Sequence, residues 1–123
     1  MNLKENTISF DTSIRENGDI SNEICKLLKQ KFIKAIESEG IVVEDAVLDA
    51  APAGTGHYMA ITVLTDQKEV ICYELAGRGI KATSKDVEIL IKFVNGLYAG
   101  DETLLREIEN LEFELEENYL KVK

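Results

Sequence analysis

A chain of 123 residues with 45% hydrophobic and 30% charged residues has the size and composition of one globular domain. Its formal net charge of −9 excludes broad binding to nucleic-acid duplexes and to anionic membranes, because both need a basic protein surface. A small anionic ligand is not excluded, since it needs only a local basic patch.

The first predicted elements are a short strand and a long amphipathic helix. Ile8–Phe10 alternates apolar and polar residues as strands do, and Asn17-Gly18 follows as a turn. Apolar residues then recur at helical spacing from about Ile20 to Glu39, and Lys29 is among the residues assigned to the polar side. Asp19 or Ser21 can cap this helix.

The middle of the chain predicts a strand, a loop and a β-hairpin. Ile41–Val43 begins a β-branched, apolar stretch that can extend to Ala50, and Ala51–Gly56 is predicted to be an irregular loop. Tyr58–Thr65 and Glu69–Ala76 are two strands joined by a short turn. Both faces of this hairpin are largely apolar, so we expect helices to cover one face and a homo-oligomer to bury apolar surface.

The C-terminal half predicts two helices and an ambiguous tail. Thr83 or Ser84 can cap the second helix, and Asp86 has the spacing of a capping box if Thr83 is the cap. Asn95-Gly96 allows an early end of this helix. A third helix covers Asp101–Glu109, and the tail after it fits a strand or hairpin, although its spacing also fits a helix. Together these elements predict an α+β fold over residues 1–123, a small antiparallel sheet packed with two or three helices in a single ligand-binding domain.

The two cysteines, Cys25 and Cys72, both fall within apolar patterns, so we expect two core positions with unpaired thiols. The N-terminus lacks the basic-then-apolar order of a signal peptide, and no apolar run is long enough to cross a bilayer. We therefore expect a reducing, cytoplasmic location.

The glycine-rich segment before the hairpin is the first candidate for chemistry. Gly54-Thr55-Gly56 suggests a phosphate-binding loop, because glycines let main-chain N–H groups approach oxygen atoms. No Lys-Ser/Thr pair follows it, so an ordinary turn is the alternative. His57, the only histidine, has no nucleophile or orienting group at a fixed spacing. We therefore rank an enzyme using His57 below a binding protein, and expect no metal and no cofactor.

Arg78 is the second candidate, because Gly77 and Gly79 flank it. A bidentate donor on a bare backbone suits a phosphate or a carboxylate. Lys81 and Lys85 lie beside it, near the N-terminus of a predicted helix, where unpaired N–H groups favour anions. The alternative is an exposed arginine in an ordinary turn.

The charge of the chain is concentrated in its C-terminal segment. Residues 101–123 hold eight acidic residues against three basic ones, a net charge of −5. Such a run is usually a solvated surface. It also supports an alternative function, an acidic protein-interaction or inhibitor domain that blocks a basic surface on a partner.

Three segments, Ala50–Tyr58, Glu74–Ile80 and Phe93–Tyr98, carry a family resemblance. With the chain length and the order of strands and helices, they resemble the small phage anti-Thoeris sponge proteins, which sequester cyclic ADP-ribose signals made by bacterial defence enzymes. The resemblance implies a phage-encoded, non-enzymatic homo-oligomer in the host cytoplasm. It also implies nucleotide pockets between subunits.

The resemblance further implies ligand contacts from arginines, an asparagine and an aromatic group. The matching residues are Arg78, Asn95 and either Phe93 or Tyr98, although aromatic residues at helical spacing are more often part of a core. The complete predicted ligand-binding set is Arg78, Asn95, Phe93, Tyr98, Arg15, Arg106, His57, Gly77 and Gly79.

Overall fold

The computed structural model describes residues 19–53, 56–75 and 83–123. In chain order these ranges contain α1 (Asp19–Glu37), β1 (Val43–Ala53), β2 (Gly56–Thr65), β3 (Val70–Leu75), α2 (Ser84–Ala99), α3 (Glu102–Glu109), β4 (Phe113–Glu116) and β5 (Tyr119–Val122). The predicted strand at Ile8–Phe10 and the turn at Asn17-Gly18 lie outside the described residues. None of the described helices is long and apolar enough to cross a bilayer.

The strands form one sheet in the order β1-β2-β3-β5-β4. Neighbouring strands are antiparallel except β3 and β5, which run parallel through the pairs Glu74–Tyr119 and Leu75–Leu120. A parallel pair needs a long crossover connection, and α2 and α3 lie in the chain between β3 and β4. The predicted α+β fold is therefore confirmed, with one parallel pairing in a sheet that was predicted to be antiparallel.

The helices cover one face of the sheet and form the core with it. Met59, Ile61 and Val63 of β2 all belong to this face and are each at most 1% exposed, as their alternation predicted. Phe32 of α1 and Val94 of α2 are buried in the same core cluster. Burial of apolar side chains on this face is the main force that holds the helices to the sheet.

The opposite face of the sheet carries smaller and partly exposed residues. Thr62 and Leu64 are half-buried there, and Val70 is 50% exposed. Cys72 pairs with Thr62 on this face and is exposed, so the prediction that it belongs to the core is wrong. Alternation places alternate residues on opposite faces, but it does not say which face the helices cover.

Helix α1 begins one residue before its predicted start and ends two residues before its predicted end. Lys29 is only 8% exposed, so the prediction that it lies on the polar side is wrong. Burial lowers the pKa of Lys29, and the charge of Asp45 offsets part of that effect. Ser21 does not act as a cap, because its hydroxyl donates to the main-chain oxygen of Leu97 at 2.7 Å and thereby joins α1 to α2.

The segment predicted to be an irregular loop is mostly sheet. β1 continues to Ala53 and β2 begins at Gly56, with Pro52 paired to His57 and Ala53 paired to Gly56. Proline is tolerated because β1 lies at an edge of the sheet, where a missing N–H need not break the ladder. The loop prediction for 51–56 is therefore corrected to the end of a long hairpin.

Helix α2 has a specific cap at each end. The Thr83 hydroxyl accepts from the Asp86 N–H at 3.2 Å, and the Asp86 carboxylate accepts from the Thr83 N–H at 2.9 Å, which is the predicted capping box. Gly100 adopts a left-handed conformation, with φ of 67°, and its N–H bonds to the oxygen of Gly96. The helix therefore continues past Asn95-Gly96, where the sequence allowed an earlier end.

Gly96 lies inside the helix at a point with no room for a side chain. A Cβ there would lie 2.5 Å from Cδ2 of Leu104, whose side chain is 1% exposed. We expect Gly96→Ala to lower the free energy of unfolding by up to about 2 kcal/mol, since overpacking exceeds the gain in helix propensity. With Leu104→Ala already present, the same substitution should instead stabilise by up to about 1 kcal/mol. Urea denaturation of all four proteins measures this, and equal effects in both backgrounds would contradict the contact.

The tail after α3 is a hairpin of β4 and β5, so the strand interpretation is confirmed. The acidic residues of the C-terminal segment are divided among elements. Glu107 of α3 pairs with Lys92 at 2.9 Å, and Glu116 of β4 pairs with Lys121 at 3.4 Å, whereas Glu117 lies in the turn. An acidic surface for a basic partner is therefore interrupted by lysines.

Candidate functional site

Three residues of the predicted set lie together where the β1–β2 hairpin meets α2. His57 is near the end of the hairpin, and its Nε2 lies 3.2 Å from Oδ1 of Asn95. Because a carbonyl oxygen only accepts, this hydrogen bond requires the proton on Nε2. Tyr98, further along α2, donates its hydroxyl to the main-chain oxygen of Ala50 at 2.9 Å. His57, Asn95 and Tyr98 are called the hairpin cluster below.

Packing around α2 sets the position of this cluster. Asn95 and Tyr98 are three residues apart and therefore lie on the same side of the helix. Val94 and Leu97, which are 0% exposed, fix the helix against the sheet beside them. The exposed bond between His57 and Asn95 adds little stability of its own, so both groups are available to a ligand.

Phe93 and Arg106 lie away from the hairpin cluster. Phe93 is 1% exposed, and its ring meets that of Phe113 edge-on with centroids 6.1 Å apart, so Phe93 is a core residue. The aromatic contact of the predicted site is therefore left to Tyr98, which is half-buried. Arg106 is exposed on α3 and forms no hydrogen bond with the hairpin cluster. The remaining predicted residues, Arg15, Arg78, Gly77 and Gly79, lie outside the described residues.

The two ends of α2 offer different electrostatic environments. Thr83 caps the N-terminus, and Asn95 lies about 18 Å away along the axis at 1.5 Å per residue. The C-terminal turns carry the negative end of the helix dipole, which disfavours a phosphate beside Asn95. The hairpin cluster therefore suits the neutral, hydrogen-bonding part of a ligand, such as a base or a ribose.

The sheet face beside the cluster is acidic. Tyr58 shares this face with Asp49, Cys72 and Glu74, according to the strand register. Burial and then the charges of Cys72, Glu74 and Asp49 raise the pKa of Tyr58 to about 12. Tyr58 consequently keeps its hydroxyl proton at neutral pH. The carboxylates would repel a phosphate, so any phosphate near the cluster needs a cation.

Cys25 is unsuited to act as a nucleophile. It is 0% exposed in the core, as its pattern predicted, and burial raises the pKa of its thiol from 9.0 to about 12. The reactive form of cysteine is the thiolate, which is then scarce at neutral pH. Cys72 lies on the acidic sheet face, and Tyr58 contacts its sulfur.

The described part of the chain contains no group of three His, Cys, Asp or Glu side chains placed to hold a metal ion. Comparisons with known proteins give no further assignment, since no protein-family model, curated protein or solved structure matches the chain.

Asn95 as the partner of His57 was not predicted from the sequence. The two residues are 38 positions apart, so no local spacing connects them. The pairing follows from the long hairpin, because extending β1 and β2 to Ala53 and Gly56 carries His57 up to α2. Recognising 51–56 as paired strand would have indicated that His57 reaches α2 and contacts Asn95.

Proposed function

We propose that the chain binds and sequesters a small anionic nucleotide, of the cyclic ADP-ribose type, without turning it over, and so counters a bacterial anti-phage defence signal. The observation that supports this most directly is the hairpin cluster. Half-buried His57 and exposed Asn95 are able to hydrogen-bond to a base or a ribose, with Tyr98 one turn away. The sequence resemblance supplies the ligand class.

Arg78 is the phosphate-binding cation in this proposal. β3 ends at Leu75, directly after Glu74, which pairs with Ala60 near the start of β2. His57 lies at that same end of the sheet. Arg78 follows Leu75 by three residues in the sequence. A base or ribose at the hairpin cluster and a phosphate on Arg78 would then belong to one ligand.

Sequestration rather than catalysis is supported by the chemistry of the described residues. Burial leaves the Cys25 thiol unreactive as a nucleophile. Asn95 hydrogen-bonds to His57, but its amide is not a nucleophile. We extend the proposal to a homo-oligomer, because Val70 leaves apolar surface exposed on the sheet face away from the helices.

The test is a thermal-shift panel of cyclic ADP-ribose isomers, cyclic oligonucleotides and dinucleotides, followed by calorimetry on any nucleotide that raises the melting temperature. Arg78→Ala should weaken binding about ten- to a hundredfold, as expected for one charge-assisted contact. Asn95→Ala should weaken it about two- to tenfold, as expected for one neutral hydrogen bond. Light scattering of the same samples gives the number of subunits.

Gln67→Ala is the matched control, because Gln67 carries an amide and is exposed in the turn between β2 and β3, at the other end of β2 from His57. It should leave affinity and melting temperature unchanged. Denaturing the complex should release the same molecule that was added. A hydrolysed product that disappears with His57→Ala would replace sequestration with catalysis, and a panel without any thermal shift would remove nucleotide binding.

A further inference from the structure

A cleft lined by lysines lies between the C-terminal end of α1 and the end of β5. Its volume is about 70 Å³, and its lining residues are Lys31, Lys34, Ala35, Ser38, Glu112, Phe113 and Lys123. Three lysines and one glutamate, Glu112, therefore line one small concave site in a chain whose net charge is −9. The positive charge of these lysines is opposite in sign to the net charge of the chain.

The cleft lysines differ from other lysines in their ion pairs within the described part of the chain. Lys68 and Lys92 form ion pairs with Glu44 and Glu107 at 2.6 and 2.9 Å. By contrast, among the described residues Lys34 and Lys123 form no ion pair within 4.0 Å.

Lys31, Ser38 and Glu112 are the other polar residues that line the cleft. The ammonium of Lys31 donates to the main-chain oxygen of Glu109 at 3.0 Å, and that acceptor is neutral. The Ser38 hydroxyl is already used as a donor to the oxygen of Ala35 at 2.6 Å. The donors left for a ligand are therefore ammonium groups. The three full positive charges of the lysines exceed the one carboxylate of Glu112 and the partial negative charge at the C-terminal end of α1.

We propose that this lysine cleft binds one phosphate-sized oxyanion, either inorganic phosphate or the phosphate of a monoester. Lysine ammonium groups are phosphate binders that act as point charges and need no fixed plane. The volume is far below the roughly 300–1,000 Å³ of sites that enclose a drug-sized ligand, so a whole nucleotide does not fit.

This site is separate from the hairpin cluster and does not depend on the proposed function. Glu37, the last residue of α1, accepts from the N–H of Val43 at 3.2 Å, so α1 ends where β1 begins. His57 pairs with Pro52 at the other end of β1. That end is about 30 Å along the strand from Val43 at 3.3 Å per residue.

The experiment is a titration of the full chain with inorganic phosphate at constant ionic strength, followed by amide NMR. We expect saturable shifts at Lys34, Ser38 and Lys123. Lys34→Gln with Lys123→Gln should weaken phosphate binding by roughly tenfold or more, since two of three cationic contacts are lost. Lys26→Gln with Lys68→Gln, at exposed positions outside the cleft, makes the same change in net charge and should leave the affinity within about twofold.

A second arm uses adenosine monophosphate, whose phosphate alone should enter the cleft and bind about as tightly as inorganic phosphate. Equal weakening in both double variants would show general charge attraction and overturn the site, as would shifts that do not saturate. Shifts centred on His57 and Asn95 would place the phosphate elsewhere and also overturn it.

Asn95→Ala, which tests the nucleotide proposal, should not change phosphate binding here. Circular dichroism checks that each variant is folded, and Lys34→Gln alone replaces the double variant if that one is not.

Discussion

Replacing Phe32 with alanine should lower the free energy of unfolding by about 3–5 kcal/mol, the usual range for a buried phenylalanine. Phe32 is 0% exposed and meets the ring of Phe113 edge-on, with centroids 5.0 Å apart and planes at 83°. Phe113 in turn contacts Phe93 of α2. The three rings join α1, β4 and α2, so the cavity would open where three elements meet. Chemical denaturation at constant m-value measures the change.

Two further variants serve as comparisons for the loss of unfolding free energy in Phe32→Ala. Ile91→Ala removes a large apolar side chain that is 36% exposed, and it should cost less than about 1 kcal/mol, since surface substitutions rarely cost more. Phe32→Leu keeps most of the volume but removes the aromatic contact, so it should fall between the two. A loss below about 1 kcal/mol for Phe32→Ala would contradict the packing of α1 against β4.

The positions of these aromatic residues show how much of the fold the sequence predicts. Phe32 lies in the predicted amphipathic helix and Phe113 in the tail that was predicted to fit a strand, and both positions are buried. Their contact was not predictable, because it depends on β4 joining the sheet through β5 next to β3. Local periodicity identifies faces and elements, whereas the order of strands depends on contacts between distant residues.

Lys29 and Cys72 were both assigned to the wrong environment for the same reason. A residue's place on a helix or strand is fixed by its spacing, but its burial depends on what packs against that side. Lys29 is covered although its neighbours on the predicted polar side are exposed, and Cys72 lies on the sheet face away from the helices. The hairpin cluster was likewise predicted as separate residues and not as a group, because His57 and Asn95 meet only in the folded chain.

The thiol of Cys25 should make the protein lose stability at alkaline pH. Burial raises its pKa from 9.0 to about 12, while the charge of Lys29 lowers it and that of Asp49 raises it by smaller amounts. Above pH 9 the unfolded chain releases this proton and the folded chain keeps it, so stability is fully present below pH 9 and decreases as pH rises toward 12. The loss between pH 8 and pH 11 should be about 2–3 kcal/mol, and on the order of 4 kcal/mol when complete.

Lys29 contributes with the opposite sign. Burial lowers its pKa, so the unfolded chain binds that proton more tightly, and stability rises with pH through the interval between the folded and unfolded values. A comparison of the native protein with Cys25→Ala separates the two effects, because Lys29 is present in both.

The measurement is the free energy of unfolding from urea titrations at several pH values from 8 to 11. The proteins compared are the native protein, Cys25→Ala and the exposed-cysteine control Cys72→Ala.

At pH 8 the native protein should be more stable than Cys25→Ala, because alanine leaves part of a core position unfilled. That advantage should shrink and then reverse as pH rises, since only the native protein has a thiol that ionises on unfolding. Cys72→Ala should follow the native curve up to about pH 9 and lose somewhat less stability above it, because Cys72 contributes to the raised pKa of Tyr58. A constant difference between the native and Cys25→Ala proteins from pH 8 to 11 would mean that Cys25 ionises as readily in the folded chain as in the unfolded one, which a fully buried thiol does not do.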